Sequence, residues 1–170
     1  MLSASVYTSL THAGSHSQMD IEGFDVDRLE LETISYSKAQ VHEMLEEEFG
    51  YHFHKAPDNG IYHLFSDTEF DIPKKAENVI QFADAYCELP SPVYGDNEYD
   101  CEDYALTIYT LLTTAHPALS VGVMFSNNTD HAYNLFITED EGIVYYEPMG
   151  CSIPDSSADL YQTEKGVLLF

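Results

Sequence analysis

An α+β fold, with helices packed on an antiparallel sheet, follows from three features of this 170-residue chain. Helical hydrophobic spacing recurs in the first two-thirds, around Val41, Val79 and Ala105. Strand-like runs separated by turn residues fill the last third. Apolar residues make up 44% of the chain, with 13 Tyr and 9 Phe, which is enough to fill one core. Helices first and sheet afterwards is the segregated order of an α+β domain.

Residues 1–26 are rich in Ser, Thr, His and Asp and read as an N-terminal arm or irregular segment. That leaves 27–170 as a single domain. Leu29, Leu31 and Ile34 predict a short strand. Ser37 then offers an N-cap, and Gln40 completes a capping box. Val41, Met44, Leu45 and Phe49 share one helical face, and Gly50 suits the left-handed residue that follows. Residues 51–54 and 61–65 alternate around Asn59-Gly60, a hairpin signal. Pro73 suits the first turn of a second helix, with Val79, Phe82, Ala83 and Tyr86 on its inner face. Pro90, Pro92 and Gly95 make 89–98 a loop. A third helix runs from Asp100 to about Ala115, and Pro117 stops it. Strands are expected over 119–125, 131–138, 143–147 and 166–170.

The net charge of −24, from 30 acidic and only 6 basic residues, repels phosphate backbones and argues against nucleic-acid binding. Such a chain repels itself unless salt shortens the Debye length, from about 10 Å at 0.1 M to about 3 Å at 1 M. It therefore predicts a halophilic protein, cytoplasmic in a high-salt cell or packed in a virus particle. The first residues show no basic and apolar signal-peptide pattern, and no apolar run approaches the roughly 20 residues of a membrane span. No membrane partner is expected. Three cysteines do not make a disulfide scaffold. Cys87, Cys101, His131 and Cys151 match no zinc-ligand spacing, so no metal and no cofactor is expected.

Chemistry concentrates between 98 and 148. Asp100 is a plausible N-cap with Asp103 three residues on, which sets Cys101 in the first turn of a helix. Unpaired N–H groups and the dipole favour a thiolate there. Asp100, Glu102 and Asp103 act the other way and raise the thiol. His131 opens a strand in His131-Ala132-Tyr133, and Glu147 precedes Pro148 at the end of the next.

This series, a helix-start Cys, a His-Ala-aromatic run and an acid-Pro pair sixteen residues later, resembles the transglutaminase-like (papain-related) superfamily, including its bacterial cysteine-proteinase-like branch. The resemblance covers about 50 residues. It implies a transglutaminase-like core and cysteine-dependent acyl transfer: peptide or amide hydrolysis, or transamidation. Cys101 would be the nucleophile, His131 the base and Glu147 the carboxylate that orients it. Asn97, Tyr99 and Asn134 are the implied oxyanion or supporting donors. The partner would be a protein or peptide substrate. The alternative is a catalytically silent copy of the fold, a structural or binding module held among protein partners, for example in a haloarchaeal virus particle. Glu in place of the usual Asp, and the lack of Trp after His-Ala, depart from the family pattern.

A register argument links the last two residues. A three-residue loop over 140–142, with Gly142 left-handed, pairs Glu139 with Ile143. Glu147 then faces Leu135, on the correct side but four residues of about 3.3 Å each from His131.

Overall fold

The computed structural model describes residues 31–50, 53, 60–65, 67–87, 100–155 and 157–170, with the side chain of Cys87 excepted. The expected arm over 1–26 lies outside these residues. The elements run β1 (Thr33–Ser37), α1 (Lys38–Phe49), β2 (Ile61–Leu64), β3 (Glu69–Pro73), α2 (Ala76–Cys87), α3 (Cys101–Ala115), β4 (Val121–Ser126), β5 (His131–Thr138), β6 (Gly142–Tyr146) and β7 (Gly166–Leu169), with a short 3-10 helix at Asp159–Tyr161 before β7.

The five-stranded sheet has the order β2-β7-β4-β5-β6, and β1 and β3 form a separate antiparallel pair. The expectation of an antiparallel sheet after a block of helices is corrected twice. β2 joins β7 in parallel, with Ile61 opposite Gly166, and three strands precede the last two helices. The other arm of the expected hairpin, 51–54, lies largely outside the described residues. The partner of Ile61–Leu64 comes from the far end of the chain, a pairing that no local turn signal encodes.

Local signals hold at both capped helices. The Ser37 hydroxyl accepts from the Gln40 N–H while the Gln40 side chain receives the Ser37 N–H at 2.9 Å. Gly50 ends α1 at φ +54°, a conformation that favours glycine. Pro73 does not start α2; it closes β3. The first N–H of α2, from Ala76, is instead met by the Asp140 carboxylate at 3.0 Å, a cap delivered by the β5–β6 turn.

β5 lies between two hydrophobic layers and is buried at every position after His131. Tyr133, Leu135 and Ile137 pack with α1, β1, β3 and Phe170, whereas Phe136 packs with α2 and α3. Val123 and Ala132 form a small cluster with Ala105 of α3. The strand reads as a continuous apolar run because both of its faces are covered.

Candidate functional site

The site lies at the start of β5. Residues 127–130 form the turn that precedes it, and Asp130 takes a left-handed φ of +54°, a conformation Asp tolerates better than most residues. The chain then enters β5 with His131 on the same side as Tyr133. The β5–β6 register decides whether Glu147 can reach that ring. Thr138 pairs with Gly142 and Asn134 with Tyr146, two residues away from the register expected from the loop. Continued one step, this alignment sets Glu147 across from Tyr133, two residues from His131 rather than four. The gap left by the sequence argument closes without a bulge.

Glu147 Oε2 lies 2.8 Å from His131 Nε2, and both side chains are largely buried. A carboxylate has no proton to give, so Nε2–H donates, and in the neutral ring Nδ1 is left as an acceptor. The same Oε2 accepts the Tyr161 hydroxyl at 2.7 Å, and Oε1 accepts the Met149 N–H at 3.0 Å. A two-way backbone bridge between Glu147 and Ser152 closes the loop that holds it. Burial pushes the Glu147 carboxyl up, but the His131 ring, the Tyr161 hydroxyl and the Met149 N–H outweigh it and hold the group below its ordinary value.

Cys101 opens α3 as expected. The Asp100 carboxylate accepts from the Glu102 N–H, and the Asp100 N–H is met by Asp103, completing the capping box. The thiol is free, half-buried and packed against Ala105, Val123 and Ala132. Ala132, against whose cluster it packs, is the residue next to His131. Burial pushes the thiol up, the Ala132 N–H lowers it, and Asp100 and Glu102 raise it again; the balance is upward. The helix-end argument for a thiolate is corrected on this point: burial and two acidic neighbours outweigh the favourable end of the helix. Cys151 is disulfide-bonded.

Asn134 points away from His131, on the face toward α3. Its amide donates to the Ala105 carbonyl at 2.9 Å and the Gly122 carbonyl at 3.3 Å. It fastens α3 to the sheet and is not a donor beside the ring. Asn97 and Tyr99 lie outside the described residues. The sequence argument missed Tyr161 and the Met149 N–H. Neither belongs to a short motif, and Tyr161 reaches Glu147 from fourteen residues downstream. Among the described residues, no group of three or more His, Cys, Asp or Glu side chains could hold a metal ion, and no helix is long and apolar enough to cross a membrane.

A family model described as the ricin-type β-trefoil lectin C-terminal domain matches residues 28–165. Two solved structures are similar in fold. One is described as a PSL1a-E64 complex, at 21% identity and a TM-score of 0.60, covering 80% of this chain and 50% of that one. The other is Polyporus squamosus lectin bound to the human-type influenza-binding epitope Neu5Aca2-6Galb1-4GlcNAc, at 20% identity and a TM-score of 0.54, covering 80% and 49%. This chain thus spans about half the length of either structure. No curated protein matches it.

These findings overturn the transglutaminase-like resemblance, which rested on three short strings between 98 and 148, whereas the family match runs from 28 to 165. The fold class named for that superfamily falls with it. So do the readings of cysteine-dependent acyl transfer, of an enzyme, and of a silent transglutaminase-like module, all of which were drawn from it. The ligand in the Polyporus squamosus structure is a glycan rather than a peptide.

Proposed function

We propose, since the chain belongs to the ricin-type β-trefoil lectin C-terminal domain family, that it works within a carbohydrate-binding protein of lectin type. Cys101, His131 and Glu147 form the ligand site of this domain. One observation carries the reading. All three residues fall inside the matched span, and the fold sets His131 on Glu147 at 2.8 Å while Cys101 packs against the cluster of Ala132, the residue next to His131. Such a group offers a ligand a ring nitrogen acceptor, an ionised carboxylate and a half-buried thiol.

The two similar structures supply the probes. E64 is assigned to the Cys101 site, and Neu5Aca2-6Galb1-4GlcNAc probes the carbohydrate-binding function. Calorimetry with each compound, with intact-mass spectrometry for E64, on the wild type, Cys101→Ala and His131→Ala tests the assignment. E64 binding should weaken at least tenfold in Cys101→Ala, whereas glycan binding should not change. E64 binding that ignores Cys101→Ala, or no glycan binding at all, would overturn the proposal. So would hydrolysis of a peptide or ester that is lost in Cys101→Ala.

A further inference from the structure

We propose that Tyr161 is a positioning residue of this site, its hydroxyl fixing the Glu147 carboxylate in the orientation that meets the His131 ring. The inference rests on the reading of Cys101, His131 and Glu147 as a ligand site, and it adds a fourth residue that acts through the third.

The geometry is specific. Tyr161 and His131 converge on one oxygen, Oε2, at 2.7 and 2.8 Å. The Met149 N–H takes the other oxygen. A glutamate side chain has three rotatable bonds and loses that freedom only when its end is held. The Tyr161 ring is buried and lies edge-on to His131 at 5.8 Å and to Tyr133 at 5.2 Å. Tyr161 therefore touches both members of the pair it arranges. Its own placement is firm. The Asn128 carboxamide donates to the Gln162 carbonyl at 3.0 Å and accepts the Glu164 and Lys165 N–H groups at 2.9 and 3.0 Å. These bonds tie the segment after the 3-10 helix to the turn that precedes His131. A tyrosine kept only for packing would bury its ring and leave its hydroxyl to any acceptor; this one meets the carboxylate that also holds the imidazole.

Among the described residues, the titratable side chains that meet Glu147 are His131 from β5 and Tyr161 from the 3-10 helix, with the Tyr133 ring against both of them. Burial pushes Tyr133 up to about 12, and burial followed by Glu147 pushes Tyr161 up as well. Both tyrosines therefore stay neutral through neutral pH, and the carboxyl signal of Glu147 is read below it.

Carbon-detected NMR of the Glu147 carboxyl, assigned by Glu147→Gln, tests the role in wild type and Tyr161→Phe. The ring remains in this variant and only the hydroxyl is lost. The Glu147 midpoint should move up by about one pH unit, and E64 should bind about tenfold more weakly. An unchanged midpoint would overturn the proposal even if E64 binding fell. Should the wild type not bind E64 at all, the ligand-site reading fails, and the Glu147 midpoint still decides the role of Tyr161. If Tyr161→Phe does not fold, site-specific 3-fluorotyrosine at 161, a stronger phenol donor, must move the midpoint down. An unmoved midpoint there overturns the proposal.

Discussion

On one face of β5, Tyr133, Leu135 and Ile137 meet α1 and a layer of aromatic rings; on the other, Ala132, Asn134 and Phe136 meet α2 and α3. The first face is built from large side chains; the Tyr145 hydroxyl meets Glu48, that of Tyr161 meets Glu147, and that of Tyr133 meets Thr163. Near the site, the second face is built from small ones. Ala105, Ala132 and Val123 let the start of α3 come close enough for Cys101 to pack on this small cluster. The site is the seam between these two surfaces. The aromatic face supplies the His131–Glu147–Tyr161 group, and the helix face supplies the thiol. His131 and Ala132 are neighbours on one strand and point to opposite sides, so the two surfaces meet at the start of β5.

Substitutions that enlarge or empty either face sharpen this contrast. Leu135→Ala removes a fully buried side chain from the aromatic face and should cost about 2–5 kcal/mol in denaturant unfolding, with the iodoacetamide reactivity of Cys101 in the folded state unchanged. Ala132→Val adds bulk where α3 meets the sheet. It should cost less, about 1–3 kcal/mol, yet change Cys101 alkylation severalfold. Equal effects of the two substitutions on the thiol would break the division of labour between the faces.

Glu147→Gln gives the smallest effect and tests the ionic part alone. The Glu147 carboxyl is held low in the folded state. Its stabilisation is therefore present above the unfolded carboxylate value of about 4.3 and is lost as pH falls through the lower folded value. Wild type should exceed Glu147→Gln by about 1–2 kcal/mol near neutral pH, and the gap should close on acidification below about pH 4. A gap that is constant with pH would remove the ionised carboxylate from the account.

The capping boxes show what a single sequence discloses. Ser37 with Gln40 and Asp100 with Asp103 act over three residues, and both helices begin where those pairs place them. β5 matches its expected span for a similar reason, since its apolar run is bounded by turn residues on both sides. The misreadings are non-local. Pro73 looked like a helix start, but the cap for α2 comes from Asp140, sixty-four residues from Ala76. Ile61–Leu64 takes a partner, Gly166–Leu169, from the far end of the chain. At the site, three short motifs in order singled out Cys101, His131 and Glu147. The two-residue register between β5 and β6 depended on packing of the whole sheet, and Tyr161 is delivered by a downstream segment that carries no motif. Family identity was the least legible, because three short strings suggested a superfamily that the match over 28–165 replaces.

The account stands or falls on the thiol and the imidazole–carboxylate pair answering to one ligand. NMR of the protein labelled at the Cys101 β-carbon, the His131 ring and the Glu147 carboxyl, titrated with E64, measures this directly. All three signals should shift together along one saturation curve while probes at Leu135 and Phe136 stay still. Perturbation confined to residues elsewhere, or a thiol that responds without the ring and the carboxylate, would contradict it.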